Sequence, residues 1–381
     1  MSDHDVIELL IELVAIDSVN PTLVPGSAGE SDVAAFVAQW ATKAGLEARI
    51  VEHTTGRPSV IVGPPRPGSG KTLLLCAHLD TVGVGGMPNP HTPRVDGDRL
   101  YGRGAYDMKA GLAAALIACR DTTRAGLNGQ IVVAAVADEE HSSTGVQDLL
   151  HHGEVRADAA IVTEPTELEV ATAHKGFVWT EIEIIGRAAH GSRPHLGTDA
   201  ILKAGPILVA LDALNRRLGC GRQHLALGAG GLHASLIRGG REESTIPDQC
   251  VITVERRTLP GDTVEDVEHD IAELLTACEA ADSALQVQMR TTLHRPPLQT
   301  EADADIVRTL TGAAETVLGS RVEPVGLSYW ADSAFLAQAG IPTVLFGPAG
   351  EGAHADVEWV SLASTIACTQ TLSVAAARFC H

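Results

Sequence analysis

The chain has 381 residues, 45% of them hydrophobic and 3% aromatic, with a formal net charge of −20. That length exceeds one ordinary domain and the apolar share excludes a disordered chain, so two domains, or one domain carrying an insertion, are expected over a core of Ala, Val, Leu and Ile. So acidic a surface repels phosphate and argues against a nucleic-acid partner.

The N-terminal run MSDHDVIELLIELVAIDSVNP spaces apolar residues between charges and predicts an amphipathic helix. It has no basic leader and no small-residue cleavage site, so a secretory signal is not expected. No apolar run has the length of a membrane span, and no membrane partner is expected. Seven scattered cysteines without a CxxC pair fit the reducing cytoplasm better than a disulfide framework.

Further along, Ser59–Val62 and Leu73–Ala77 read as strands, Met108–Cys119 as a helix, and Ile131–Ala137 and Asp158–Val162 as strands. Strands alternating with helices predict an α/β fold with a mixed, largely parallel sheet and flanking helices. GSGKT (68–72) resembles the tail of a phosphate-binding loop, but Pro65 stands where that motif needs glycine, and a strand, not a helix, follows.

The middle changes style. Val178–Ile185 alternates apolar and polar residues, a helix runs from Asp199 to Leu218, Leu232–Ile237 and Cys250–Arg256 read as strands, and Val264–Cys278 as a helix. This predicts an inserted α+β domain at 177–290, within a domain made of 1–176 and 291–381. Val317–Val325 and Pro342–Phe346 read as strands of the outer domain, closed by a helix at Ala363–Phe379.

Polar groups gather just past several strands: His78 and Asp80 after Leu73–Ala77, Glu139 and Glu140 after Ile131–Ala137, Glu164 after Asp158–Val162, and His354 beyond Pro342–Phe346. Asp107 follows the glycine-rich turn YGRGAYD and is expected to open a helix at the same edge. In open α/β sheets that edge binds ligands. Singly, each group has a bland reading: a loop hydrogen bond for His78, a helix N-cap for Asp107, a solvated pair for Glu139-Glu140, a turn residue for Glu164. Together, two imidazoles and several carboxylates suit zinc, and a carboxylate bridging two ions would make a hydrolytic clamp. Asp80, two residues beyond His78 on an extended chain, is placed to take the second ring N–H of His78. In the insert, His190 lies among small residues and Arg257 could grip a carboxylate with its two-pronged guanidinium.

The strings LLLCAHLDTV (73–82), YGRGAYDMKAGLAA (101–114), VVAAVADEEHSSTG (132–145), VTEPT (162–166), HGSRP (190–194), IRGGREESTIPDQC (237–250), ERRTLPG (255–261) and GPAGEGAHADVEWV (347–360) together resemble the family that contains acetylornithine deacetylase, succinyl-diaminopimelate desuccinylase, aminoacylase and carboxypeptidase G-type enzymes. The resemblance implies a zinc-peptidase-like fold and two divalent ions, zinc first, with cobalt or manganese also accepting such ligands. It implies that His78, Asp107 and Glu164 hold one ion and Asp107, Glu140 and His354 the other. Glu139 would be the general base and Asp80 the orienter of His78. His190 would reach the oxyanion from a partner subunit, the inserted lid domain forming a homodimer interface. Arg257, Gly239 and Gly240 lie in lid motifs that bind a substrate carboxylate, and Asp332 lies by the substrate pocket.

The implied reaction releases the acyl group of an N-acyl amino acid, an N-acetyl amino acid such as acetylornithine first. A desuccinylase, a dipeptidase or carboxypeptidase and a broad aminoacylase are the alternatives. A non-catalytic binding protein on the same fold is the alternative of another class, opposed by the full set of ligands and base. A serine hydrolase lacks its GxSxG motif. Ser244, where many relatives carry Asn, departs from the family pattern and argues against close kinship to the biosynthetic desuccinylases, and Tyr329-Trp330 before Asp332 point to an unusual pocket.

Overall fold

The computed structural model describes residues 3–66 and 68–381. The chain divides into two compact units, one of Met1–Thr172, Thr300–Val325 and Ala331–His381, the other of Ala173–Gln299 and Gly326–Trp330. The second unit thus extends past residue 290 because the strand Val287–Arg295 belongs to its sheet. That strand, VQMRTTLHR, is half-exposed and carries few large apolar residues, so its period is faint in the sequence.

In the first unit the strands lie in the order Glu47–Val51, Ser59–Gly63, Gln130–Val136, Thr72–His78, Ala159–Val162, Thr343–Leu345, with Ala171 of Ala171–His174 beside the last. The three central pairings are parallel and the outer ones antiparallel. Thr72–His78 is buried along nearly its whole length, as a parallel strand covered on both faces must be. Helix Ala110–Ala125, AGLAAALIACRDTTRA, is buried over most of its length and packs against helix Leu362–Phe379. Its small residues allow close helix approach, and the core beneath is Ala, Val, Leu and Ile with few aromatics.

Register sets where function can sit. His78 pairs with Val136, and Cys76 pairs with Val162, which also pairs with Leu345. The segments leaving these strands, 79–80, 137–140, 163–164 and 346–347, therefore emerge side by side. A small antiparallel sheet, Arg94–Asp96, Arg99–Tyr101, Trp359–Ser361 and Gly350–Glu351, brings the YGRGAYD turn beside the His354 loop.

Two expectations change. Val317 and Leu318 end the helix Asp305–Leu318, which Gly319 closes at φ 68°, and only Val325–Leu327 is extended. The apolar residues Ile306, Val307, Leu310, Ala313 and Ala314 had already set a helical period that Val317 continues. The predicted helix at Met108 begins only at Ala110, because Asp107 and Met108 have non-helical dihedrals within the turn Ala105–Lys109.

The second unit is an antiparallel sheet ordered Gly231–Gly239, Gln249–Thr258, Gly176–Ile185, Val287–Arg295. Gln249–Thr258 alternates buried and open residues, the mark of a sheet covered on one face. Helices Ala200–Gly219 and Val264–Ala281 share its core. Asp199 caps the first by accepting the Leu202 amide at 2.9 Å, and Thr263 with Asp266 forms a capping box on the second. Among the described residues no helix is long and apolar enough to cross a membrane. All seven cysteines are free.

Candidate metal centre

His78 is buried at the end of its strand. Its Nδ1 donates to the backbone carbonyl of Asp80 at 2.8 Å. That bond fixes the proton on Nδ1 and leaves Nε2 to face the site. Nε2 lies 3.1 Å from Asp107 Oδ1 and 3.9 Å from Glu164 Oε1. The expectation that the Asp80 carboxylate would orient this ring is corrected: its Oδ1 lies 3.8 Å from Nδ1, beyond hydrogen-bond reach. The carboxylate instead accepts the Glu139 amide on Oδ1 at 3.1 Å and the Glu140 amide on Oδ2 at 3.2 Å.

Glu139 and Glu140 diverge in a turn, not on extended backbone. Asp138 opens it at φ 66°, and its carbonyl collects the amides of Ser142 and Ser143. Glu140 Oε2 meets His354 Nε2 at 3.0 Å, and Asp107 Oδ2 meets the same nitrogen at 3.4 Å. Asp107 thus offers one oxygen to each imidazole, the disposition a bridging ligand needs. Ligand atoms of His78, Asp107 and Glu140 lie within 4.8 Å of one another, and so do those of His78, Glu139 and Glu164. Glu139 therefore stands among candidate ligands instead of apart from them.

The Asp107 turn is held by a residue that the sequence reading missed. Glu358 is buried; Oε1 accepts the amides of Tyr106 and Asp107 at 2.9 and 3.1 Å, and Oε2 accepts the Gly104 amide at 3.0 Å. Arg103 donates to Glu358 Oε2 at 2.7 Å and to the Ala355 carbonyl at 2.8 Å, tying the Asp107 turn to the His354 loop. Two close approaches complete the cradle. A Cβ on Gly111 would fall 1.9 Å from the Thr163 carbonyl, and one on Gly347 would fall 2.1 Å from the Glu164 carbonyl.

The electrostatics call for a cation. Burial pushes Glu139 and Glu164 well above the usual carboxylate range, and neighbouring carboxylates, Asp332 among them, push them further; only His78 opposes this. Burial also raises Asp107, but hydrogen bonds from His354 and His78 outweigh it and hold that carboxyl below its ordinary value. Asp107 and Glu140 push His354 up to about 10. Glu140 Oε1 is buried without a protein hydrogen-bond partner. Imidazoles, converging carboxylates and an unsatisfied carboxylate oxygen fit a divalent-metal centre.

Asp332 is buried at the start of helix Ser333–Gln338. The remaining sequence candidates lie on the second unit. His190 is exposed, its Nδ1 2.8 Å from Ser192 Oγ. Arg257 donates to the Ser328 carbonyl at 2.5 Å, with its guanidinium over the Phe177 ring. Gly239 ends the edge strand, and Gly240 follows at φ 75°.

The fold and the site define a metallohydrolase. The profile of peptidase family M20/M25/M40 matches residues 74–378, and the chain belongs to that family of metal-dependent hydrolases. It is 30% identical to an acetylornithine deacetylase of Myxococcus xanthus over 97% of this chain and 96% of that protein. An acetylornithine deacetylase of Proteus mirabilis is likewise 30% identical, over 94% and 92%. Among solved structures, the aminopeptidase PepT of Bacillus cereus superposes with a TM-score of 0.79 at 18% identity, covering 100% of both chains. A dinuclear metal-binding peptidase of the family from Bacillus subtilis gives 0.74 at 17%, over 99% and 98%. At these identities the structures speak for the fold.

Proposed function

We propose that this hydrolase releases the acyl group of an N-acyl amino acid, with N-acetyl amino acids of the acetylornithine type as first substrates. The observation that carries the chemistry is the convergence of His78, Asp107, Glu140, Glu164 and His354 with Glu139 at one sheet edge. The full-length likeness to acetylornithine deacetylases supports the acyl group. Two divalent ions, zinc first, held by His78, Asp107 and Glu164 and by Asp107, Glu140 and His354, would supply Lewis-acid activation of the amide carbonyl and of water.

The protein's own part follows from its geometry. Glu139 takes a proton from the attacking water as the hydroxyl adds to the carbonyl carbon. The protonated carboxyl then passes that proton to the leaving nitrogen as the C–N bond breaks. The products are a carboxylate and a free amino acid. Asp80 keeps the Glu139 backbone in place. We assign the hydrogen bond on the developing oxyanion to His190 and capture of the substrate carboxylate to Arg257. In this reading His190 acts from a second copy of the chain. The open outer edge of strand Gly231–Gly239 and the exposed Leu202 (74%) and Val209 (69%) on helix Ala200–Gly219 support a homodimer through the second unit.

The test is amine release from N-acetyl amino acids, N-succinyl amino acids and dipeptides, using chelator-stripped protein reloaded with zinc or cobalt. The fastest turnover is expected on an N-acetyl amino acid. A dipeptide preference would reassign the substrate, and no cleavage of any member by metal-loaded protein would overturn the reading.

A further inference from the structure

Behind the Glu139–Glu140 turn lies a buried polar network that meets the site at Asp80 and at Asp138, the residue that opens the turn. Asn20 Nδ2 donates to Asp80 Oδ2 at 2.8 Å and to Asp138 Oδ1 at 2.9 Å. Its Oδ1 accepts from Arg57 at 3.0 Å and from the Thr22 amide at 2.9 Å. Arg57 also donates to Glu30 Oε1 at 2.7 Å and lies 3.3 Å from Asp138 Oδ1. The Thr144 hydroxyl donates to Asp138 Oδ2. Asn20, Glu30, Asp80, Asp138 and Arg57 are all buried.

The chemistry of this arrangement is specific. Asp80 and Asp138 flank the catalytic turn as two buried carboxylates that repel each other. A primary amide places one hydrogen on each while its oxygen accepts from a cation, and in Asn20 both hydrogens and the oxygen are in use. A hydroxyl has too few hydrogens, and an ammonium would offer Arg57 no acceptor. An amide with all of its polar atoms engaged in this way is held in one orientation.

We propose that Asn20, locked by Arg57, is a positioning residue for catalysis: it fixes the Asp80 carboxylate, which in turn fixes the backbone of Glu139 and Glu140. The inference rests on Glu139 as base and Glu140 as metal ligand. A purely structural alternative exists, because Asn20 also ties the N-terminal segment down through its amide, 2.9 Å from the Thr81 carbonyl. Loss of a merely structural tie lowers the unfolding midpoint and leaves the folded enzyme's constants alone. Loss of a positioning residue alters those constants.

The experiment uses the full chain as wild type, Asn20→Ala and Arg57→Lys. It measures zinc affinity by calorimetry, kcat and KM per folded enzyme, and the unfolding midpoint. For Asn20→Ala, zinc affinity and kcat are each expected to fall ~10–100-fold, the range seen when partners behind metal ligands are removed, with KM held. Arg57→Lys keeps the charge against Glu30, loosens the fork on Asn20, and should show a smaller loss of the same pattern. Folded Asn20→Ala with wild-type kcat and zinc affinity overturns the proposal, whatever its midpoint. Should Asn20→Ala fail to fold, Arg57→Lys decides: reduced kcat and zinc affinity support the proposal, and wild-type values overturn it. Wild-type protein that bound no zinc would sink the metal-site reading itself, whereas zinc-binding wild type with unaltered variants sinks only the role of Asn20.

Discussion

Glu139 carries the sharpest expectation at the scale of single residues. Replacing it with Gln keeps the shape and removes the base, so kcat should fall by ~10²–10⁴-fold while metal stoichiometry stays at the wild-type value. Near-normal turnover would remove the assignment. His354 gives a pH dependence. Without metal, Asp107 and Glu140 raise it to about 10, so it is protonated at neutral pH. A metal needs the neutral ring, so binding must release this proton, and zinc affinity should rise with pH through the neutral range. Calorimetry in buffers of different ionisation enthalpy counts the protons released; no release and no pH dependence would contradict this. The grouping of His78, Glu140 and Glu164 was legible because each follows an apolar strand within a few residues, whereas Asp107 follows a glycine-rich turn and His354 a longer loop. The true task of the Asp80 carboxylate was not legible, since its partners are backbone amides nearly sixty positions away in a turn that the local pattern does not encode.

Between elements, the site is a product of parallel register and close backbone approach. The strands were legible from their unbroken apolar runs, and their C-terminal ends collect the candidate ligands His78, Glu140 and Glu164 as open α/β sheets do. The clamp of Arg103 and Glu358 was hidden, because its partners are separated by 255 positions. Glu358→Gln keeps the size but turns one acceptor into a donor facing amides or Arg103. We expect zinc affinity to fall ~10–100-fold from the misplaced Asp107 turn, read by competition with a chelating dye; unchanged affinity would deny Glu358 that role. Gly111→Ala tests the helix approach. Its Cβ cannot fit 1.9 Å from the Thr163 carbonyl, so helix or strand end must shift. A destabilisation of about 1–3 kcal/mol is expected in urea unfolding, and a neutral substitution would show that the helix yields freely. The helix Asp305–Leu318 shows where local pattern misleads, since Val317 and Leu318 are β-like or apolar in isolation and helical only by the period of the residues before them.

For the molecule as a whole, the acidic balance of −20 has a local counterpart in a buried centre that is itself rich in carboxylates. Folding these groups together without a cation is costly, so metal and stability must be linked. At free zinc 100-fold above its dissociation constant, the folded state should gain about 2.7 kcal/mol, seen as a higher unfolding midpoint that chelator abolishes. The separate antiparallel-sheet domain was legible as a change from α/β alternation to alternating half-exposed strands. Its far boundary was blurred by the polar strand Val287–Arg295.

We propose that hydrolysis depends on the metal centre built by the first unit. It is tested most directly by titrating chelator-stripped enzyme with zinc while following amine release from N-acetylornithine. No turnover is expected before zinc is added, and activity should rise to a plateau at two equivalents per chain. Full turnover in the stripped protein, or zinc uptake by His78, Asp107, Glu140, Glu164 and His354 that leaves every amide uncleaved, would contradict it.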